Sequence, residues 1–178
     1  PICPRGGTNV LDRFQADVIT GDWPAVGRFL SQLPEKQWGN AYRALLSGLS
    51  RTPSPTPVQP TEGGDPATAA AAATTASQRL AESLLLPEDI LGLADARPGT
   101  LEEPDLEALG RLLSRALSRG GAIEPFLARL ESGTAQLGGG EDTKRHRAAT
   151  LLQAAGRLTE AARFLPTVEA AQAAKDYA

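Results

Sequence analysis

Apolar residues along this chain recur three and four positions apart, the period of one helix face. No segment shows the alternating, β-branched pattern of a half-buried strand. Phe14 and Val18, joined by Ile19, give a first inward face over residues 13–20, with Asp12 placed to cap it. Gly21 and Asp22 end that helix and open the next. Asp22 suits an N-cap, and Pro24 falls in the first turn, where its missing N–H costs nothing. Trp23, Val26, Phe29, Leu30 and Leu33 form the second face, closed by Pro34. A third runs over 35–49 through Trp38, Ala41, Tyr42, Leu45, Leu46 and Leu49.

The pattern then stops. Residues 50–66 hold five prolines between Pro53 and Pro66, which remove donors and favour extended backbone, so this stretch is a spacer with no regular structure. An alanine-rich run follows, from which a helix over 74–85 is expected. Pro87 opens a short helix with Ile90, Leu91 and Leu93 inward. Another is expected to begin at a Thr100–Glu103 capping box or near 103–104, where Pro104 suits a first turn, and to run to about Arg119 on Leu106, Leu109, Leu112, Leu113, Ala116 and Leu117. Ile123, Phe126, Leu127 and Leu130 mark the helix over 122–131, and 133–140 reads as a flexible loop. Three regions result: a helical unit at 1–50, a Pro/Ala-rich connector at 51–73 and a helical region at 74–178.

The last region is organised by residues 143–174. Ala148, Leu151, Leu152 and Ala155 share one face, Gly156 breaks it where a helix end wants φ > 0, and Leu158, Ala161, Leu165 and Val168 form the next face. Leu152 and Leu165 are expected to be buried against each other's helices, with small residues such as Ala148 and Ala161 letting the backbones approach. A spacing common to three places links this unit to the others: Gly21-x-Trp23-xx-Val26-xxx-Leu30, Gly121-x-Ile123-xx-Phe126-xxx-Leu130 and Gly156-x-Leu158-xx-Ala161-xxx-Leu165. The last two begin about 35 residues apart, the length of one helix-turn-helix repeat.

On these residues the chain resembles tetratricopeptide repeats, mainly over 143–176 with a partial echo at 21–33. Gly156-Arg157-Leu158-Thr159-Glu160-Ala161 is similar to the turn of such a repeat. Ala148, Ala149 and Leu152 fall where its first helix carries small and apolar residues; before Gly21 the match fails, because Arg13 and Asp17 occupy the apolar sites. The resemblance implies a curved scaffold that binds a partner along its concave face.

Composition narrows the picture. Of the 178 residues 41% are hydrophobic but only 4% aromatic, so the core is expected to be thin and built from Leu–Ala packing. Net charge is −3 with no long charged block, which argues against a nucleic-acid binder. No run of 18 apolar residues exists to span a membrane. Arginine far outnumbers lysine, and with abundant alanine, glycine and proline this is the usage of a GC-rich, bacterial genome. With no methionine, position 1 included, the chain is expected to start downstream of its translation start. The single cysteine, Cys3, excludes an internal disulfide framework and a cysteine-rich zinc site.

The chemistry-bearing candidates are few. Lys144, Arg145, His146 and Arg147 form a basic helix start that could meet an anion or an acidic partner, at some cost against the helix dipole. His146, the sole histidine, has no nameable nucleophile or carboxylate partner. Gly138-Gly139-Gly140 lacks the spacing of a phosphate loop. Glu88/Asp89, Glu102/Glu103 and Glu141/Asp142 all sit at helix starts, where acids favour the dipole. Trp23 and Trp38 read as core anchors.

The expectation is therefore an all-α protein of short helical hairpins, packed as a small solenoid-like or orthogonal array. Its function would be that of a non-catalytic scaffold or protein–protein interaction module without cofactor or metal, acting on a protein partner or by self-assembly as part of a larger chain or assembly. The alternative is a helical accessory or regulatory region of an enzyme or cell-envelope complex. A helical enzyme would need a pocket joining His146 to a carboxylate.

Overall fold

Eight bounded helices carry the described residues, with no strand among them. The structure is a computed structural model and describes residues 10–50, 76, 79–80, 85–133 and 137–165. Cys3, the connector at 51–73, Val168 and the end of the tetratricopeptide-like stretch lie outside the described residues. The chain divides into two compact units, Pro1–Ser83 and Leu84–Ala178.

In the first unit, α1 spans Val10–Thr20, α2 Trp23–Ser31 and α3 Glu35–Ser50; α2 packs against both α1 and α3. Asp12 does not cap α1: the helix already runs through Val10, so Asp12 sits in its first turn and complements the dipole from there. The far end is closed at Gly21, whose φ of 73° a residue with a Cβ would adopt only under strain. Here the Asp22 N–H donates to the Asp17 carbonyl at 2.9 Å and the Gly21 N–H to Val18 at 3.2 Å, the paired bonds of a Schellman turn. Asp22 then caps α2, its Oδ1 accepting from the Ala25 N–H at 3.1 Å.

This turn folds α2 back on α1. Phe14, Val18, Trp23, Val26, Leu30, Tyr42, Leu45, Leu46 and Leu49 are buried, each large side chain contributing about 1.5–3 kcal/mol by leaving water. Phe29 lies half-buried against Phe14, ring centroids 4.3 Å apart. Trp38 is half-buried and donates its indole N–H to the Leu33 carbonyl at 2.7 Å, tying the α2–α3 turn. Ile19, expected inward, is exposed, because its neighbour Val18 already faces the core about 100° away around the helix.

The second unit holds α4 (Pro87–Asp95), α5 (Glu103–Ser118), α6 (Glu124–Glu131), α7 (Glu141–Ala154) and α8 (Leu158–Ala161). Acidic residues cap two of these from inside. Asp89 Oδ2 accepts the Leu86 N–H at 2.8 Å, and Asp105 Oδ2 accepts the Glu102 N–H at 3.1 Å. Asp105, not the Thr100–Glu103 pair, thus fixes the start of α5. It is fully buried and also accepts from Arg97 Nε at 3.1 Å, while Arg97 donates through Nη1 to the Pro98 carbonyl. A buried carboxylate needs such partners, since an unpaired one is costly.

The most extensive packing joins α5 to α7. Gly110 makes it possible: a Cβ there would lie 2.4 Å from Ala154 Cβ and 2.6 Å from the Leu151 carbonyl oxygen. A close backbone approach thus joins α7 to the earlier α5, beyond the 143–174 hairpin where one is expected and where α7 also packs on α8. α4 packs on α5 and α6, and α7 on α8.

Gly156 closes α7 as expected, with φ of 74°, the Arg157 N–H on the Leu152 carbonyl at 2.8 Å and the Gly156 N–H on Gln153 at 2.9 Å. Beyond it the expected face is rotated. Leu158 is 44% exposed, Leu165 is half-buried and Phe164 is buried instead. The cause is local. The Arg163 N–H bonds to Glu160 and the Phe164 N–H to Ala161, both three residues back, so the tighter 3₁₀ turn stacks Phe164 over buried Ala161. Leu152 is fully buried.

Candidate functional site

Four consecutive residues on a helix fan out by about 100° each, so Lys144, Arg145, His146 and Arg147 cannot face one way. The structure divides them. Arg147, half-buried, turns to the preceding loop and donates through Nη1 to the carbonyls of Leu137 and, at 2.9 Å, Gly138. With Leu137 itself buried, the described part of the loop before α7 is anchored, against the flexible loop expected there. His146 is exposed, and its carbonyl accepts the Thr150 hydroxyl at 3.0 Å.

Lys144 and Arg145 face the other way, into a groove of about 230 Å³. Its floor is apolar and mostly buried: Leu130 at the end of α6, Leu137, Ala148 on α7 and Phe164 after α8. Its rim is charged. Lys144 Nζ lies 3.3 Å from Glu141 Oε1, and Arg163 Nη1 lies 3.7 Å from Glu131 Oε1. No ion pair among the described residues engages Arg145, which is exposed at the same rim. Exposed pairs of this kind contribute about 0–1 kcal/mol each, so the rim can rearrange around an incoming charge at little cost.

Sequence reasoning reached Lys144 and Arg145 but missed Glu131, Arg163 and Phe164. Glu131 and Arg163 come together only through the packing of the unit, and Phe164 only through the 3₁₀ turn; no local spacing announces either. Among the described residues no group of three His, Cys, Asp or Glu side chains is placed to hold a metal ion, and no helix is long and apolar enough to cross a membrane. Set against protein-family models, curated proteins and solved structures, the chain matches none.

Proposed function

We propose that the protein is a non-catalytic helical scaffold, a protein–protein interaction module of a larger chain or assembly, whose α6–α7–α8 groove takes an acidic segment of a partner protein. The observation that carries this reading is Arg145, which no ion pair among the described residues engages, at the rim of an apolar-floored groove whose other two cations are already balanced. An anionic side chain supplies the missing charge, and an apolar neighbour of that side chain covers the floor. The tetratricopeptide-like character of 143–176 belongs to the same proposal. Its support is the Schellman turn at Gly156 with buried Ala148, Ala149 and Ala161 on either side of it.

A labelled peptide alternating Glu and Leu, titrated with the protein and read by fluorescence anisotropy, tests this. The complex should weaken as salt rises, because the rim charges are exposed. Arg145→Glu should weaken it further by about tenfold or more, the loss of one charge-assisted bond with added repulsion. A Lys–Leu peptide that binds equally well, or a peptide indifferent to Arg145→Glu, would sink the reading.

A further inference from the structure

A second cavity, of about 360 Å³, lies in the first unit between α1 and α2. Its chemistry has no part in the groove described above. Arg13 and Asp17, one turn apart on α1, line one side; Arg28 and Phe29 on α2, with Gln32 just past its end, line the other. The Schellman turn at Gly21 brings these two faces together.

Two exposed guanidiniums from different helices thus line one cavity. No ion pair or hydrogen bond among the described residues engages the side chain of Arg13 or Arg28. No ion pair among the described residues joins Asp17, the lone acid of the lining, to either. The lining therefore has one positive charge in excess, beside an aromatic wall. Phe14 is fully buried behind it, and half-buried Phe29, tilted against Phe14 with ring centroids 4.3 Å apart, offers ring surface to the cavity. The volume lies in the range of small-ligand pockets, about 300–1,000 Å³.

We infer that this cavity binds a monoanionic carboxylate carried on an aromatic or apolar body. The two arginines take the carboxylate, as guanidinium geometry suits. The body lies against Phe29, and the Gln32 amide serves a further polar group of the ligand. Asp17 sets the charge: it opposes the second negative charge of a phosphate dianion and tolerates one. A free aromatic acid and a Glu beside an aromatic residue in a peptide share this chemistry.

Calorimetric titration of the full chain with phenylpropionate, with an acetylated Glu–Phe amide and with inorganic phosphate tests the assignment and separates the sources. At least one carboxylate should bind. The tighter of the two identifies a free acid or a peptide as the ligand, and phosphate should bind more weakly than that one. Arg13→Gln and Arg28→Gln should each weaken carboxylate binding about tenfold, the effect of one charge-assisted bond. Both positions are exposed, so the far-UV circular dichroism of each variant should match the parent. Phe29→Leu, which keeps an apolar wall without the ring, should weaken phenylpropionate severalfold. Failure of both carboxylates to bind, tighter binding of phosphate, or parental affinity in both glutamine variants would overturn the assignment.

Discussion

The two units bury their helices by different means. The first fills its interior with side-chain volume: Phe14, Trp23 and Tyr42 are buried among leucines and valines, with Phe29 stacked at the edge. The second has Phe126 and Phe164 but otherwise packs leucine, isoleucine and alanine, and its main contact depends on a side chain that is absent, at Gly110. It also holds a buried ion pair, Arg97–Asp105. A thin Leu–Ala core, expected for the whole chain from 4% aromatic residues, describes the second unit and not the first. An average over the chain concealed a segregation, since both tryptophans fall in α2 and α3. A core built on volume should fail when volume is removed; one built on backbone proximity should fail when volume is added.

The largest expected effect tests the first half of that contrast. Phe14 is fully buried and holds Phe29, so Phe14→Ala should cost about 3–5 kcal/mol. The measurement is favourable, because the only two tryptophans lie in the first unit and their fluorescence follows its unfolding in denaturant. A midpoint unchanged by Phe14→Ala would mean that the aromatic cluster is not the core of this unit.

Gly110→Ala tests the second half by adding a single methyl group. It should cost about 1–3 kcal/mol, as overpacking does, despite a gain of up to about 1 kcal/mol in helix propensity. Pairing it with Ala154→Gly should recover only part of the loss. Removing the Ala154 methyl clears the contact at 2.4 Å, but the Leu151 carbonyl oxygen at 2.6 Å is backbone and stays. Far-UV circular dichroism should register the change. If the tryptophan transition moves equally, the two units unfold together, and the contrast holds for packing but not for cooperativity.

How much of this was legible in the sequence depends on how local each feature is. The α-helical class, the Asp22 cap, the breaks at Gly21 and Gly156 and the burial of Leu152 follow from spacing and from residues within a few positions, and the structure agrees. The failures are those where a local reading meets a tertiary choice. Leu158 has the right spacing but is exposed, because a 3₁₀ turn gives its place to Phe164. Asp105 looks like any first-turn acid; only the return of Arg97 makes it a buried one. Gly110, inside an apolar helix face, signals nothing until α7 arrives from more than 30 residues downstream. For the candidate site, the sequence marked a basic run, but the fan of a helix split it, leaving two of its four residues at the groove.

That split yields the smallest and most discriminating pair of substitutions. Adjacent residues of like charge potential, His146 and Arg147, should behave differently. His146 is exposed, and only its backbone carbonyl is used, so His146→Ala should change stability by less than about 0.5 kcal/mol. Arg147 holds two loop carbonyls, and Arg147→Ala should cost about 1.5 kcal/mol, at the lower end for charged hydrogen bonds because the side chain is partly solvated. The loss should appear first as faster amide hydrogen exchange over the first turns of α7, which the anchored loop precedes. If His146→Ala is the more damaging of the two, the imidazole has a structural or metal-linked role. If neither matters, the loop before α7 is not held by Arg147, and the groove wall that includes Leu137 is softer than the α5–α7 contact behind it.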